Sequence, residues 1–202
     1  FGWHALLFPA GRSGMHKIVT GTWRDNLPDD PMQVVSGPMG KEKVHYEAPA
    51  AALVPDEMHK FLDWFNTDNT TEPILKAALT HLWFVTIHPF DDGNGRVARL
   101  LMNYHLIRNG YAPVIIKSSD KTNYIFALNK ADVGDFDSFI NYIIAQAIWS
   151  MSLLLKAAKN ESIEEEEDWK KEVSNLTKNI SIRPVKRDKE NLEMRMGDSI
   201  LP

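Results

Sequence analysis

The chain has 202 residues, of which 44% are hydrophobic and 25% charged, and its formal net charge is −4. This composition is typical of a globular protein long enough for one domain, and it argues against a general nucleic-acid-binding protein, which usually carries a basic surplus. The sequence contains no cysteine, which excludes disulfides, thiolate zinc sites and thiol nucleophiles. No apolar run approaches the roughly 18–20 residues of a membrane span, and no targeting segment is visible. We therefore expect a cytoplasmic protein with no membrane partner.

The first quarter of the chain predicts little regular structure apart from a hairpin. Residues 1–8 have the pattern of a helix end, and residues 9–50 are rich in glycine and proline. Two short strand-like runs, at 32–36 and 43–47, lie on either side of a Gly/Pro turn, which is typical of a β-hairpin.

Helical periodicity dominates the rest of the chain. The segment that starts at Pro73 is apolar almost all round, which indicates a central, buried helix. Proline at helix starts and glycine after helix ends mark the boundaries. The predicted helices begin at Pro55 and Pro73 and then cover about residues 95–109, 121–133 and 136–159. An acidic run and an irregular tail follow, so we divide the chain into a domain of residues 1–158 and a C-terminal acidic helix and tail of residues 159–202.

Residues 88–99 read HPFDDGNGRVAR and concentrate groups that carry chemistry in one loop. Pro89 disfavours helical conformation at His88, so the central helix should end near Ile87. The imidazole of His88 would then lie just beyond the C-terminal end of that helix. A neutral imidazole in that place is suited to take a proton from a hydroxyl at neutral pH. Phe90 is interpreted as a packing anchor for the loop.

The second half of the same loop has the composition of an anion site. Residues 93–95, Gly-Asn-Gly, can take positive φ and line up backbone N–H groups at the start of the next helix. Arg96 and Arg99 are one helical turn apart and lie on one face beside those groups. Two guanidinium groups next to an anion cradle suit an oligophosphate.

This loop resembles the signature of the Fic family of protein adenylyltransferases, which reads HPFx[D/E]GNGRxxR. The specified positions all match, and they are His88, Pro89, Phe90, Asp92, Gly93, Asn94, Gly95, Arg96 and Arg99. The resemblance extends from the hairpin to about residue 144. It implies an all-α, Fic-type helical bundle with a small β-hairpin flap at about residues 31–47.

The resemblance also implies a reaction, in which AMP is transferred from ATP to a Ser, Thr or Tyr hydroxyl of a target protein and pyrophosphate is released. His88 would be the general base and Asp92 the ligand of Mg²⁺. The target protein would dock on the flap as an added strand. The implied nucleotide-binding residues are Val34, Val35, Ser36 and Gly37 in the flap, Asp92, Gly93, Asn94, Gly95, Arg96 and Arg99 in the loop, and Tyr124 and Asp132 at the nucleoside pocket.

Other functions stay open at this point. The same site could remove AMP from a modified protein or transfer UMP or another phosphoryl group, and a nucleotide-binding interaction module with little turnover is a further alternative. A DNA binder is ranked last because no basic helix is present. A zinc site of His81, His88 and His105 is a minor alternative, since no HExxH motif occurs. A homo-oligomer is compatible with the sequence.

Many Fic proteins carry an inhibitory helix with the pattern [S/T]xxxE[G/N], whose glutamate pairs with the second arginine of the loop, here Arg99. The nearest match is Ser162 to Glu166, but Glu167 stands where glycine or asparagine is expected. A match within an acidic run has little weight, so we do not assign an inhibitory helix.

Overall fold

The computed structural model describes residues 1–27, 29–36, 40–41 and 43–163, and residues Phe1–Asn160 form one compact unit. That unit is mostly helical, as predicted, with two small antiparallel hairpins. The helices are α1 (Gly2–Leu7), α2 (Val54–Thr67), α3 (Pro73–Ile87), α4 (Asn94–Arg108), α5 (Lys121–Asp132) and α6 (Phe136–Ala158). The strands are β1 (Arg12–Ser13), β2 (His16–Lys17), β3 (Gln33–Ser36) and β4 (Lys43–Glu47).

The predicted hairpin at 32–36 and 43–47 is confirmed as β3 and β4. The two strands are antiparallel, with Val34 opposite Tyr46 and Val35 opposite Val44, so the register is irregular between the two valines. The smaller hairpin of β1 and β2 was not predicted, because strands of two residues are too short to show alternation. Gly37, one of the expected flap residues, lies outside the described residues.

Helix α3 lies at the centre of the unit and contacts α2, α4 and α6. It begins at Pro73, where the Glu72 side chain accepts hydrogen bonds from the backbone N–H groups of Ile74 (2.9 Å) and Leu75 (3.0 Å). This is a side-chain cap with proline in the first turn, the combination that favours a helix start. The expectation of a buried central helix is confirmed, and its buried residues are Lys76, Ala77, Ala78, Thr80, His81, Leu82, Phe84 and Ile87.

Two apolar clusters pack on opposite sides of α3. The first joins α3 and α4 to α5 and α6, and includes Met102, Leu106, Tyr124, Phe139 and Ile143. The second joins α2 to α3 and α4, and includes Val54, Met58, Phe61, Phe84 and Val97. Phe90 belongs to the second cluster and is 2% exposed, which confirms that it anchors the loop after α3.

By length and composition alone, α6 is the one helix among the described residues that could cross a membrane. The expectation that no apolar run approaches that length was therefore wrong for α6, because a few polar residues interrupt its run without lowering its average much. The core helix of a soluble protein meets the same criterion. In this structure Phe139, Ile143 and Ala147 of α6 pack into the first cluster.

The C-terminal predictions fall mostly outside the described part. Most of the acidic run, the rest of the expected C-terminal helix and tail, and the end of the inhibitory match at Glu166 lie beyond residue 163. The division at residues 158 and 159 therefore stays a prediction.

Candidate active site

Helix α3 ends at Ile87, as predicted, and His88 follows it in a left-handed conformation, with φ 52° and ψ 57°. The N–H of His88 closes the helix by donating to the carbonyl of Phe84 at 3.1 Å. The extended conformation that Pro89 favours is not adopted. A residue with a Cβ is disfavoured in the left-handed region by about 1–2 kcal/mol, so this conformation must be held by the contacts of the loop.

The imidazole of His88 is oriented by one hydrogen bond. Its Nδ1 lies 3.1 Å from the carbonyl oxygen of Val85. Because a carbonyl can only accept, Nδ1 carries the proton in the neutral ring and Nε2 is left unprotonated. Burial lowers the pKa of His88 below its ordinary value of 6.5; the Val85 hydrogen bond and Asp92 act in the opposite direction, while Arg24 lowers it further. The ring is therefore neutral at neutral pH and can accept a proton.

The N-terminus of α4 lies at the other end of the loop. Gly93 precedes it with φ 83°, and a Cβ built on Gly93 would lie 2.6 Å from Cε2 of Phe8, so both backbone and space require glycine there. The expectation of positive φ holds for Gly93 alone, since Asn94 and Gly95 already belong to the helix. No side chain of the described residues caps α4. The N–H of Arg96 donates to the carbonyl of Gly93 at 2.9 Å, which leaves the N–H groups of Asn94 and Gly95 available to an anion.

The side chain of Asn94 holds the loop together. Its Oδ1 accepts from the N–H of Phe90 at 2.9 Å, and its Nδ2 donates to the carbonyl of Phe90 at 2.7 Å. The residue is 2% exposed. Only its backbone N–H is therefore free to take part in the predicted anion site.

The two neighbouring carboxylates have different partners. Asp92 accepts hydrogen bonds from the Ser13 hydroxyl and from the N–H of Gly93, and its side chain is 45% exposed. Asp91 accepts from the N–H of Val19 at 2.9 Å, so it ties the N-terminal segment to the loop and is not merely solvated. Both carboxylates are partly exposed, and Asp92 is the one that directly precedes the N-terminus of α4.

The two arginines of the motif lie on the expected side of α4. The guanidinium of Arg96 lies 4.3 Å above the ring of Phe8, and its Nη2 is 3.5 Å from Oδ2 of Asp92. Arg99 runs back along the helix, with Nη1 3.5 Å from where a Cβ on Gly95 would be. Both charges therefore flank the uncapped start of α4.

The β3–β4 hairpin, the expected flap, is attached close to the loop that follows α3. The Tyr46 hydroxyl of β4 donates to the carbonyl of Thr86 at 2.6 Å, in the last turn of α3. Asp132 at the end of α5 faces this strand: burial raises the pKa of its carboxyl, while the charge of His45 acts in the opposite direction. On the outer strand, Val34 and Val35 are 36% and 47% exposed.

Tyr124 lies in the core next to His81. It is 8% exposed, and its hydroxyl lies 3.1 Å from Nε2 of His81 in the core. Little of its surface is left for a nucleoside, so of the two residues expected at the nucleoside pocket only Asp132 lies beside the flap.

His4 supports the loop and was not identified by sequence reasoning. Its Nε2 donates to the carbonyl of Asp92 at 3.0 Å, while its Nδ1 accepts from the N–H of Gly21 at 3.1 Å. The imidazole also stacks on Phe90, with ring centres 3.9 Å apart. A helix too short to show periodicity carries this residue, so no pattern could have singled it out.

Arg24 is the second support that sequence reasoning missed. It is 3% exposed, and its Nε donates to the carbonyl of His88 at 2.7 Å. Its Nη2 donates to the carbonyl of Pro49, and its backbone N–H donates to that of Pro89 at 2.9 Å. The carbonyl of the His88–Pro89 peptide and the carbonyl of the peptide that follows are therefore both held by one residue from an irregular segment.

Comparison with known proteins places the loop within a larger similarity. The model of the Fic/DOC family matches residues 2–106. A protein adenylyltransferase fic-1 of Caenorhabditis briggsae is 36% identical over 115 residues, which are 56% of this chain and 23% of that protein. A protein adenylyltransferase Fic of Nematostella vectensis is 45% identical over 97 residues, which are 47% of this chain and 23% of that protein. The chain thus spans about a quarter of the length of these relatives.

Solved structures show the same fold. A Fic-domain-containing signaling protein of Bacteroides thetaiotaomicron has a TM-score of 0.64 and 36% identity, and the match covers 74% of this chain and 59% of that one. Fic-1 of Caenorhabditis elegans, residues 134–508, has a TM-score of 0.63 and 28% identity, and covers 80% of this chain and 43% of that one.

Proposed function

The chain belongs to the Fic/DOC family, and we propose that it is a protein adenylyltransferase that moves AMP from ATP to a hydroxyl group of a protein. The observation that carries the proposal is the unprotonated Nε2 of His88, placed at one end of a loop whose other end is the uncapped start of α4. A base and an anion site on one short loop are what nucleotidyl transfer to a hydroxyl needs. The relatives named protein adenylyltransferase support the same assignment.

In the proposed reaction, the hydroxyl oxygen of the target attacks the α-phosphorus of ATP. Nε2 of His88 takes the hydroxyl proton, the bond between the α-phosphorus and the bridging oxygen breaks, and pyrophosphate leaves. The first N–H groups of α4 hold the negative charge of the phosphate, and Arg96 and Arg99 hold the departing β- and γ-phosphates. Asp132 is assigned to the nucleoside end, beside the flap.

Mg²⁺ fits the residues present as a companion of the nucleotide. No group of three His, Asp or Glu residues that could hold a metal occurs in the described ranges, but Mg²⁺ is usually bound by one or two carboxylates together with substrate phosphates and water. Asp92 offers such a carboxylate, with a side chain 45% exposed beside the α4 N-terminus. When bound, the ion would neutralise charge on the phosphates.

Mass spectrometry of proteins incubated with this chain, ATP and Mg²⁺ tests the proposal. The expected result is a mass gain of one AMP on a Ser, Thr or Tyr residue, absent when His88 is replaced. A gain of UMP from UTP alone, or loss of AMP from a modified protein without any gain, would favour the two enzyme alternatives. Nucleotide binding without any covalent change would favour an interaction module.

The metal assignment predicts a selective effect of Asp92→Asn. This variant keeps the shape of the side chain and removes its charge, so Mg²⁺ should no longer strengthen ATP binding, while ATP binding without Mg²⁺ stays within a few-fold. Calorimetric titration of ATP at increasing Mg²⁺ measures both quantities. The matched control is Asp91→Asn, whose carboxylate bonds Val19, and which should keep the Mg²⁺ dependence. Equal Mg²⁺ dependence in Asp92→Asn and in the parent would place the metal ligand elsewhere.

The proposed docking of the target on the flap depends on backbone hydrogen bonds. Adjacent residues of a strand point their N–H groups to opposite edges, and proline removes that donor. One of the variants Val35→Pro and Ser36→Pro thus removes an N–H donor from the free edge of β3, and the other removes a donor that bonds β3 to β4. Both variants should therefore lower target labelling, while ATP affinity stays within a few-fold. Val35→Thr keeps the backbone donor and should label normally. Full labelling by both proline variants would show that the hairpin is not the docking edge.

A further inference from the structure

The hairpin of β1 and β2 lies against the loop that follows α3, and one of its side chains reaches into that loop. The Ser13 hydroxyl donates to Oδ2 of Asp92, although the two residues are 79 positions apart in the chain. Asp92 has a role in the proposed reaction, as the ligand of Mg²⁺, but Ser13 has none. Ligands of a metal are commonly oriented by hydrogen bonds from residues that do not touch the metal themselves, and Ser13 is placed to do this for Asp92.

The position of Ser13 is fixed by contacts that do not involve its side chain. Ser13 is paired with His16 across the hairpin, and the two-residue turn between them begins at Gly14 with φ 58°. Such turns favour glycine at this position because it adopts positive φ without strain. Just after β2, the N–H of Val19 donates to Oδ2 of Asp91 at 2.9 Å, which ties the end of the hairpin to the same loop. The backbone therefore presents the serine hydroxyl to the loop from a constant place.

The two oxygens of the Asp92 carboxylate have different partners. Oδ1 accepts from the N–H of Gly93, the next residue in the chain, whereas Oδ2 accepts from Ser13 and lies 3.5 Å from Nη2 of Arg96. The side chains of Arg96 and Asp92 are 44% and 45% exposed, and exposed ion pairs contribute only about 0–1 kcal/mol. Arg96 is also assigned to the phosphates in the proposed reaction. Ser13 is therefore the partner that can keep Oδ2 in place while a nucleotide is bound.

The hydrogen bonds to Asp92 leave the carboxylate able to bind a cation. Each carboxylate oxygen has two acceptor positions, and one donor is printed on each oxygen by the hydroxyl of Ser13 and the N–H of Gly93. Both donors are neutral, so they orient the carboxylate without cancelling the negative charge that attracts Mg²⁺.

We propose that Ser13 is a positioning residue, which holds the carboxylate of Asp92 in the orientation that suits the Mg²⁺ ion accompanying the nucleotide. The inference rests on the proposed function, in which Asp92 is the metal ligand. It adds a residue from the N-terminal hairpin to a site whose other members lie in the loop and in α4.

Ser13→Ala tests the proposal, because it removes the hydroxyl and leaves the backbone of the hairpin unchanged. Mg²⁺ should strengthen ATP binding about tenfold less than in the parent, the lower end of the loss seen when the partner of a metal ligand is removed. ATP affinity without Mg²⁺ should stay within twofold. Calorimetric titrations of ATP in EDTA and in excess Mg²⁺ measure both quantities. Inorganic tripolyphosphate, which has the phosphates without the nucleoside, should show the same change.

Two further variants separate the hydroxyl from the hairpin that carries it. Ser13→Thr keeps the hydroxyl on a side chain that suits a strand and should restore the Mg²⁺ dependence of the parent. The matched control is His16→Ala, since His16 is exposed and stands opposite Ser13 in the hairpin. This control should leave ATP affinity unchanged both with and without Mg²⁺.

A double variant shows whether Ser13 acts through Asp92. In an Asp92→Asn background, Ser13→Ala should have no additional effect on the Mg²⁺ dependence of ATP binding, because the group that the hydroxyl orients has lost its charge. Three results overturn the proposal: an equal loss of ATP affinity with and without Mg²⁺, an additional loss in the Asp92→Asn background, or a stronger Mg²⁺ dependence in Ser13→Ala, which would mean that the hydroxyl competes with the ion.

The outcomes also separate this inference from the proposed function. If Ser13→Ala loses the strengthening by Mg²⁺ but the parent transfers no AMP, the positioning role stands and the adenylyltransferase assignment fails. If the parent transfers AMP and Ser13→Ala keeps the full Mg²⁺ dependence, the positioning role fails alone. If Asp92→Asn keeps the Mg²⁺ dependence of the parent, the metal assignment and the positioning role fail together.

Discussion

Replacing His88 with alanine is expected to lower AMP transfer by about 10²–10⁴-fold, the contribution of a positioned general base, while ATP affinity changes by no more than a few-fold. The reason is the location of the imidazole, which is held by the carbonyl of Val85 at 3.1 Å and lies outside the first turn of α4. A base acts in the transfer step and contributes little to ground-state binding. Single-turnover labelling of a target protein measures the first quantity, and calorimetry with ATP measures the second.

Because the backbone of His88 is left-handed, a second variant can separate loss of the imidazole from loss of stability. His88→Gly also removes the imidazole, but glycine accepts φ 52° without strain, so this variant should be more stable than His88→Ala by about 1 kcal/mol. Both should be equally inactive. The exposed His59 of α2 provides the control, since His59→Ala should leave transfer and stability unchanged. Parallel losses of ATP binding and transfer in His88→Gly would make the residue a phosphate ligand instead.

The pH dependence of AMP transfer should also reflect the role of His88 as the base. The active form has an unprotonated Nε2, so the rate falls as the pH is lowered through the pKa of His88. Burial places that pKa below the ordinary 6.5, and the acid limb should accordingly have its midpoint below 6.5 when measured with saturating ATP and Mg²⁺. A midpoint above 6.5 would mean that another group, or a more exposed histidine, controls the rate.

Most of the helical framework could be predicted from the sequence because its signals are local. Apolar spacing together with Pro73, Gly110 and Gly134 located α3 to α6 to within a residue or two. The end of α3 at Ile87 followed from Pro89. These features depend on residues that are neighbours in the chain, so a window of a few turns contains all the information needed.

The supports of the loop between α3 and α4 could not be predicted, because they come from residues distant in the chain. His4 and Ser13 reach Asp92 from 88 and 79 positions away. The role of the Asn94 side chain, which bonds both backbone groups of Phe90, depends on the turn that the loop itself makes. The motif identified which residues could act, whereas the left-handed backbone at His88 and the contacts that hold it are properties of the folded chain.

Arg24 is the clearest example, and its removal should lower stability considerably although it lies outside the motif. The residue is 3% exposed and donates side-chain hydrogen bonds to the carbonyls of Pro49, His88 at 2.7 Å and Ile87 at 3.5 Å. Arg24→Met keeps most of the volume but leaves these buried acceptors without a donor. At about 1–3 kcal/mol for each unpaired group, we expect the free energy of unfolding to fall by about 3–5 kcal/mol.

Urea unfolding of Arg24→Met beside Arg108→Met measures this loss against a matched substitution. Arg108 is exposed and its guanidinium contacts Tyr104, so that variant should stay within about 0.5 kcal/mol of the parent. Because Arg24 holds the carbonyl of His88 itself, transfer should also fall in Arg24→Met at temperatures where the protein is still folded, while tripolyphosphate binding at α4 changes less. A folded Arg24→Met with full transfer activity and a loss below 1 kcal/mol would show that the left-handed turn at His88 is held by the loop alone.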